Sequence, residues 1–315
     1  MNKTTTFLVS LLCLLLFSNC SEDKGATPKD EIQWKKQTSG TSSVLLGVSF
    51  ISESKGYAVG TEGTIKVTDN GGAVWSNQTS GTGSFLRDVY FSDATTGTIV
   101  GESGLILRST DGSTWVSQAS GTSEHLVHVH FINNSIGLAT GQGGVILKTT
   151  DGGSSWIKQN SNSAVELPGV FLLNESTAVA VGFAGTVLRT TNGGTNWLTI
   201  PITGLTSDLR SVHFFGNTGV AVSIGGKIIR STDAGQNWSI VSSGITSNLY
   251  TVRFVDNNVV YAAGTGKVIV SKDAGATWSA AKTDPFGGDL YGLALSGSKG
   301  WSVGQNGLIL HSEMN

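Results

Sequence analysis

The stretch Gly141–Trp156, GQGGVILKTTDGGSSW, returns along the whole chain. Copies end at Trp115 (GESGLILRSTDGSTW), Trp197 (GFAGTVLRTTNGGTNW) and Trp238 (SIGGKIIRSTDAGQNW), and looser ones at Trp75 and Trp278. Successive tryptophans stand 40 or 41 residues apart. A fixed period of this length means an array of similar units. One unit cannot bury both faces of its own sheet, so neighbours must stack.

Each unit carries four strand signals. In one copy they are Leu126–Phe131, Ile136–Thr140, Val145–Thr149 and Ser155–Gln159, short apolar and β-branched runs bounded by Gly, Asn, Ser or Asp. Strands two and three are joined by G-x-x-G (Gly141 and Gly144 here), where glycine is expected to supply the positive φ of a tight hairpin. Strands three and four are joined by T-D-G-G-x-x-W, whose acid can accept hydrogen bonds from turn amides. Its tryptophan is expected to cover the apolar face of the hairpin.

The first strand occurs seven times: LLGVSF (45–50), LRDVYF (86–91), LVHVHF (126–131), LPGVFL (167–172), LRSVHF (209–214), LYTVRF (249–254) and LYGLAL (290–295). Seven four-stranded units arranged radially predict an all-β, seven-bladed β-propeller. The last copy stops after its third strand, at Gly307–Asn315, without the turn and tryptophan. The missing fourth strand stands at the other end, where Ile32–Ser39 (IQWKKQTS) matches Val74–Ser80 (VWSNQTS). The N-terminal strand around Trp34 is therefore expected to complete the C-terminal blade and leave no open edge there.

Ahead of the propeller, expected over 32–315, lie two other segments. Residues 1–19 have Lys3, an apolar run Phe7–Phe17 and the ending L-F-S-N before Cys20. This reads as a signal peptide, too short to span a bilayer, with the lipobox-like form that lipidates Cys20. The acidic pair Glu22 and Asp23 resembles the signal that sends some lipoproteins to the cell surface. An exported, outer-membrane lipoprotein anchored by its lipid is expected. Residues 20–31 are polar and charged, a flexible tether. Cys13 would leave with the signal, so the mature chain has neither disulfide nor cysteine metal site. Charged residues make up 13% of the chain and net charge is −2, without a basic block, so nucleic acid is not an expected partner.

The unit L-x-x-V-x-F … G-x-x-G-x-I-L-x-T-x-D-G-G-x-x-W resembles the Asp-box repeat of sialidases and some other glycoside hydrolases. It resembles more closely the photosystem II stability/assembly-factor-like family, which also occurs as exported lipoproteins in non-photosynthetic bacteria. The resemblance covers 32–315 and implies a binding or assembly scaffold without catalysis; a monomer without cofactor or metal is expected. The implied partner is a protein or polysaccharide of the cell envelope.

The box positions are Asn70, Asp111, Asp151, Asn192, Asp233 and Asp273. Asn could not replace Asp as an acid catalyst or metal ligand, so the exchange points to turn caps. The box of the second unit is one residue short, from Asp111 to Trp115, and a different turn is expected there. Seven tryptophans occupy the repeat position, and Trp301 aligns with Tyr57 and Tyr261, so none is spare as a sugar-stacking platform. Phe183, Tyr250, Phe286 and Tyr291 remain near loops. Arg108, Lys148, Arg189 and Arg230 share one third-strand position and are expected to form a basic arc. The three arginines among them do not read as a sialidase carboxylate clamp, since that family's F/Y-R-I-P signature is absent. His128 and His130 have a spacing that could hold a metal, yet His130 fills the slot of Tyr90, His213 and Arg253. Arg87, His128, Arg210, Tyr250 and Tyr291, at the start of first strands, are expected to crowd the mouth of the central channel, the candidate binding site. The alternative function is carbohydrate binding or glycoside hydrolysis, which would require a buried carboxylate or histidine of shifted pKa at that mouth.

Overall fold

The computed structural model describes residues 33–314. The signal, Cys20 and tether expected over 1–31 lie outside them. Seven sheets, antiparallel but for one outermost pair, form a ring in which each innermost strand packs on the next and the seventh returns to the first. The innermost strands are Leu45–Phe50, Leu86–Phe91, Leu126–Phe131, Gly169–Leu172, Leu209–Phe215, Leu249–Phe254 and Leu290–Ser296, numbered here as blades one to seven. The expected seven-bladed propeller is the observed fold.

The core lies between blades. One apolar cluster joins Val100 and Ile106 of blade two to Leu126, Val129 and Phe131 of blade three, and six more occupy the other junctions. In blades one to three the last residue of the inner strand faces a glycine across the ladder, as Phe131 faces Gly137. That glycine leaves room for the ring, since a Cβ there would lie 2.6 Å from it. The box tryptophan then meets the phenylalanine edge-on, with Phe131 and Trp156 centroids 5.9 Å apart at 78°.

The ring closes as expected. Gln33–Gln37 pairs antiparallel with Ile309–Glu313, Lys35 opposite His311 and Gln37 opposite Ile309. Trp34 is fully buried, edge-on to Tyr261 at 5.5 Å. A fifth strand, unmarked by any repeat signal, joins this blade. Lys282–Thr283 pairs in parallel with the outer side of Gln33–Gln37, and the Asp284 amide donates to the Trp34 carbonyl at 2.7 Å.

The two glycines of G-x-x-G do different jobs, which corrects the hairpin reading. Gly144 has φ +70°, but Gly141 is extended at φ −172°. A Cβ at Gly141 would collide with the His125 carbonyl oxygen, because the Gln142 amide donates to that oxygen at 2.9 Å. Gly141 is thus required by a close backbone approach. This approach pins each second-to-third-strand turn beside the loop entering the inner strand, so both line one end of the ring.

Candidate functional site

The box turns consume their own polar groups. Thr149 Oγ1 donates to Asp151 Oδ1 at 2.8 Å and accepts from the Asp151 and Gly153 amides, while Asp151 Oδ1 accepts from the Ser155 amide at 2.9 Å. Asn192 does the same with Thr190 and Asn196. The short box differs as expected: Asp111 Oδ1 takes the Ser113 and Thr114 amides, both at 2.7 Å. Hydrogen bonds from the Ser155 hydroxyl and amide hold Asp151 down at about 2, and those from Thr277 hold Asp273 at about 2.

The basic arc is not an open cationic face. Arg108 Nε donates to the Gly152 carbonyl at 2.7 Å, Lys148 Nζ to Gly193 at 2.7 Å, Arg189 Nε to Ala234 at 2.9 Å and Arg230 Nε to Ala274 at 2.8 Å. Each reaches from one blade to the box turn of the next. Where the third strand carries Val67 or His311 instead, an aromatic of the second strand takes over. Tyr57 Oη donates to Gly112 at 2.9 Å and Trp301 Nε1 to Gly71 at 3.0 Å. All six box turns are held by the preceding blade in this way. A carbonyl at a turn apex needs a donor, and a long side chain from the neighbour supplies it.

Arg87, His128, Arg210, Tyr250 and Tyr291 all line a single cavity of about 530 Å³ at the centre of the ring. Arg87 pairs with Glu102 at 3.0 Å. Arg210 stands 3.9 Å from Asp208, with its guanidinium 4.6 Å from the centre of the Phe183 ring. Tyr250 and Tyr291 lie 5.1 Å apart, their hydroxyls engaged by Asn248 and Asp289 respectively. Phe286 packs instead against the apolar cluster around Trp34.

Sequence reasoning missed the charges deeper in this cavity, Asp88 and Arg253. The cause is a β-bulge. In six blades the inner strand shifts register between its first and third residues, as between Leu86 and Asp88. A bulge turns two successive residues toward one side, so Arg87 and Asp88 both reach the channel, where strict alternation would separate them. Blade four has Pro168 at the Arg87 position, and its strand begins only at Gly169. The fifth position also faces inward, and Tyr90, His130, Phe171 and His213 form a belt of rings there, with centroids 5.3, 4.4 and 4.8 Å apart. The slot shared by these residues and Arg253 was legible, but its direction was not.

Burial pushes Asp88 up to about 6, against the pull of the Val129 amide, which donates to it at 3.1 Å, and of the Arg253 charge. His128 Nε2 lies 3.7 Å from the same carboxylate. Burial, and then the Arg253 charge, drive His128 well below its ordinary value and His130 to about 3. His130 Nδ1 accepts the Leu172 amide at 3.2 Å, so that ring is spent on the wall. Among the described residues no group of three or more His, Cys, Asp or Glu is placed to hold a metal.

The fold and the cavity define an Asp-box β-propeller with a polar and aromatic channel mouth. Residues 75–200 match the family model described as photosynthesis system II assembly factor YCF48, so the repeat in that stretch is of the YCF48-like, BNR type. No curated protein matches the chain. Among solved structures, "YCF48 bound to D1 peptide" superposes with TM-score 0.74 at 24% identity, covering 92% of this chain and 100% of that one. YCF48 from Cyanidioschyzon merolae gives 0.72 at 20% identity, covering 89% and 98%. The WD40 propeller domain of Doa1 gives 0.72 at 15%, covering 89% and 97%. At these identities the likenesses speak for the fold.

Proposed function

We propose that this chain is a non-enzymatic binding and assembly module that takes an extended segment of a partner protein across its channel mouth. The observation that carries this reading is the convergence of Arg87, Arg210, Tyr250 and Tyr291 on one cavity, while the repeated polar groups of the rim are consumed by their own turns. Two tyrosines offer flat, rigid contact surface and two arginines offer planar donors, the composition of protein-recognising surfaces. A propeller of the similar fold, YCF48, has been seen with a peptide bound, which supports the same use here. We further propose that the module is exported and lipidated at Cys20, facing envelope proteins.

A library of displayed random peptides, panned on the full chain, tests the reading. Enrichment of a common motif, with binding lost in the Arg87→Ala/Arg210→Ala/Tyr250→Ala variant at unchanged Tm, is expected. No enrichment, or binding untouched by the variant, would refute it.

One observation favours the second reading, carbohydrate hydrolysis. Asp88 is a buried carboxylate of raised pKa in the cavity, as an acid catalyst would be, and Glu166 lines the same space. That reading predicts turnover of a glycan panel, lost in Asp88→Asn.

A further inference from the structure

One charge lining the cavity is a cation with no anion in contact. Arg253 is half-buried and lines the cavity. Its Nη1 donates to the Val252 carbonyl at 3.0 Å, one N–H of five. Its other N–H groups meet no acceptor among the described residues, and no carboxylate there lies within 4.0 Å of it. Its neighbours are otherwise engaged: Tyr90 Oη donates to Phe131 at 2.9 Å, and His130 and His213 Nδ1 accept the Leu172 and Phe254 amides. Donors without a protein acceptor can serve a ligand, and the cavity gives access to those of Arg253. A guanidinium of this kind is matched by the two oxygens of a carboxylate.

We propose that the channel is a receptor for one carboxylate, carried by an acidic side chain or by the C-terminus of the bound polypeptide, with Arg253 as its anchor. This rests on the peptide-binding reading of the mouth and adds to it the chemistry the peptide must bring. Arg87 and Arg210 at the entrance draw an acidic segment inward. Asp88, from blade two, competes for the field of Arg253 without touching it. The groups around Asp88 are His128 on blade three, Tyr90 on its own strand and Arg253 on blade six, with His130 and His213 further along the wall. Burial keeps the histidines neutral near pH 7, so Asp88, pushed up to about 6, is the group that titrates between pH 5 and 7. Protonated Asp88 leaves Arg253 unneutralised, so carboxylate binding strengthens as pH falls through 6 and takes up a proton.

The test is isothermal titration of the full chain in detergent with three blocked pentapeptides. One has a central Asp and an amidated end, one a central Asn and an amidated end, and one a central Asn and a free C-terminal carboxylate. At least one carboxylate peptide is expected to bind about tenfold or more tighter than the Asn amide, and which one identifies the source of the carboxylate. Arg253→Gln is expected to erase the discrimination and Arg253→Lys to restore part of it. Should Arg253→Gln fail to fold, Asp88→Asn serves. The wild type is expected to lose affinity for the carboxylate peptide between pH 5 and 7, and this variant to hold it level. Equal binding of all three peptides, discrimination surviving Arg253→Gln, or a pH dependence unchanged in Asp88→Asn would overturn the anchor while leaving the mouth as a peptide site. Absence of binding by any peptide would overturn both.

Discussion

The rim and the channel of this ring are built from the same strands and treat polar groups in opposite ways. At the rim every box turn repeats one circuit: a hydroxyl and an Asp or Asn cap the turn, and a long side chain from the preceding blade takes its carbonyl. In the channel no two blades present the same pair of residues at the third and fifth inner-strand positions. The third holds Gly47, Asp88, His128, Gly169, Ser211, Thr251 and Gly292 in turn, and the fifth runs from Ser49 through Arg253 to Ala294. Charged donors there are left over: Arg87 Nε and Arg210 Nε are buried without partners, whereas at the rim it is the indoles of Trp156 and Trp197 that are. Residues that repeat hold the ring together. Residues that break the repeat, on the wall where the bulges aim them, are free to meet something else.

The largest effect should come from the seam. Trp34→Ala removes a fully buried indole from the junction that joins the two ends of the chain. It is expected to cost about 3–5 kcal/mol, read from the urea midpoint, far more than any rim change. A smaller loss would mean the ring does not depend on its closure.

The two regions should also separate by pH. Asp88 has its carboxyl raised to about 6 when folded, against about 3.9 unfolded. The folded chain therefore holds that proton more tightly, and this contribution is present at low pH and lost as pH rises from 4 through 6, on the order of 2–3 kcal/mol. Asp151 and Asp273 are held at about 2, so their small, solvent-screened contributions run the other way, present above pH 4 and lost as pH falls through 2. In Asp88→Asn the decline between pH 4 and 6 should flatten while the acid limb remains. A decline that persists would move its origin away from the channel.

Arg230→Met should cost about 1 kcal/mol by removing one inter-blade hydrogen bond while keeping the apolar stem. Asp151→Asn should change stability least, by under about 0.5 kcal/mol, because Asn70 and Asn192 already make the same turn. Chemical denaturation of the two variants side by side checks both.

These contrasts explain what could be read from the chain beforehand. Strand content, blade number and closure through Trp34 were legible because each signal is written six or seven times. The five mouth residues were legible because loop ends converge on a propeller axis. Asp88 and Arg253 were not, since a bulge changes which face a residue takes and leaves no mark in composition. Arg108, Lys148, Arg189 and Arg230 were legible as a basic arc but their partners were not, because a basic residue at a fixed strand position looks the same whether it meets solvent or a neighbour's carbonyl. Lys282–Thr283 was silent, two residues being too few to show a period.

The most direct test of the division between rim and channel compares two triple variants against one peptide selected on the wild type. The account predicts that Arg87→Ala/Arg210→Ala/Tyr250→Ala abolishes binding at unchanged Tm. It predicts that Arg108→Met/Arg189→Met/Arg230→Met lowers Tm and leaves the affinity of the folded chain as it was. The reverse result, affinity lost through the rim and kept through the mouth, would contradict it.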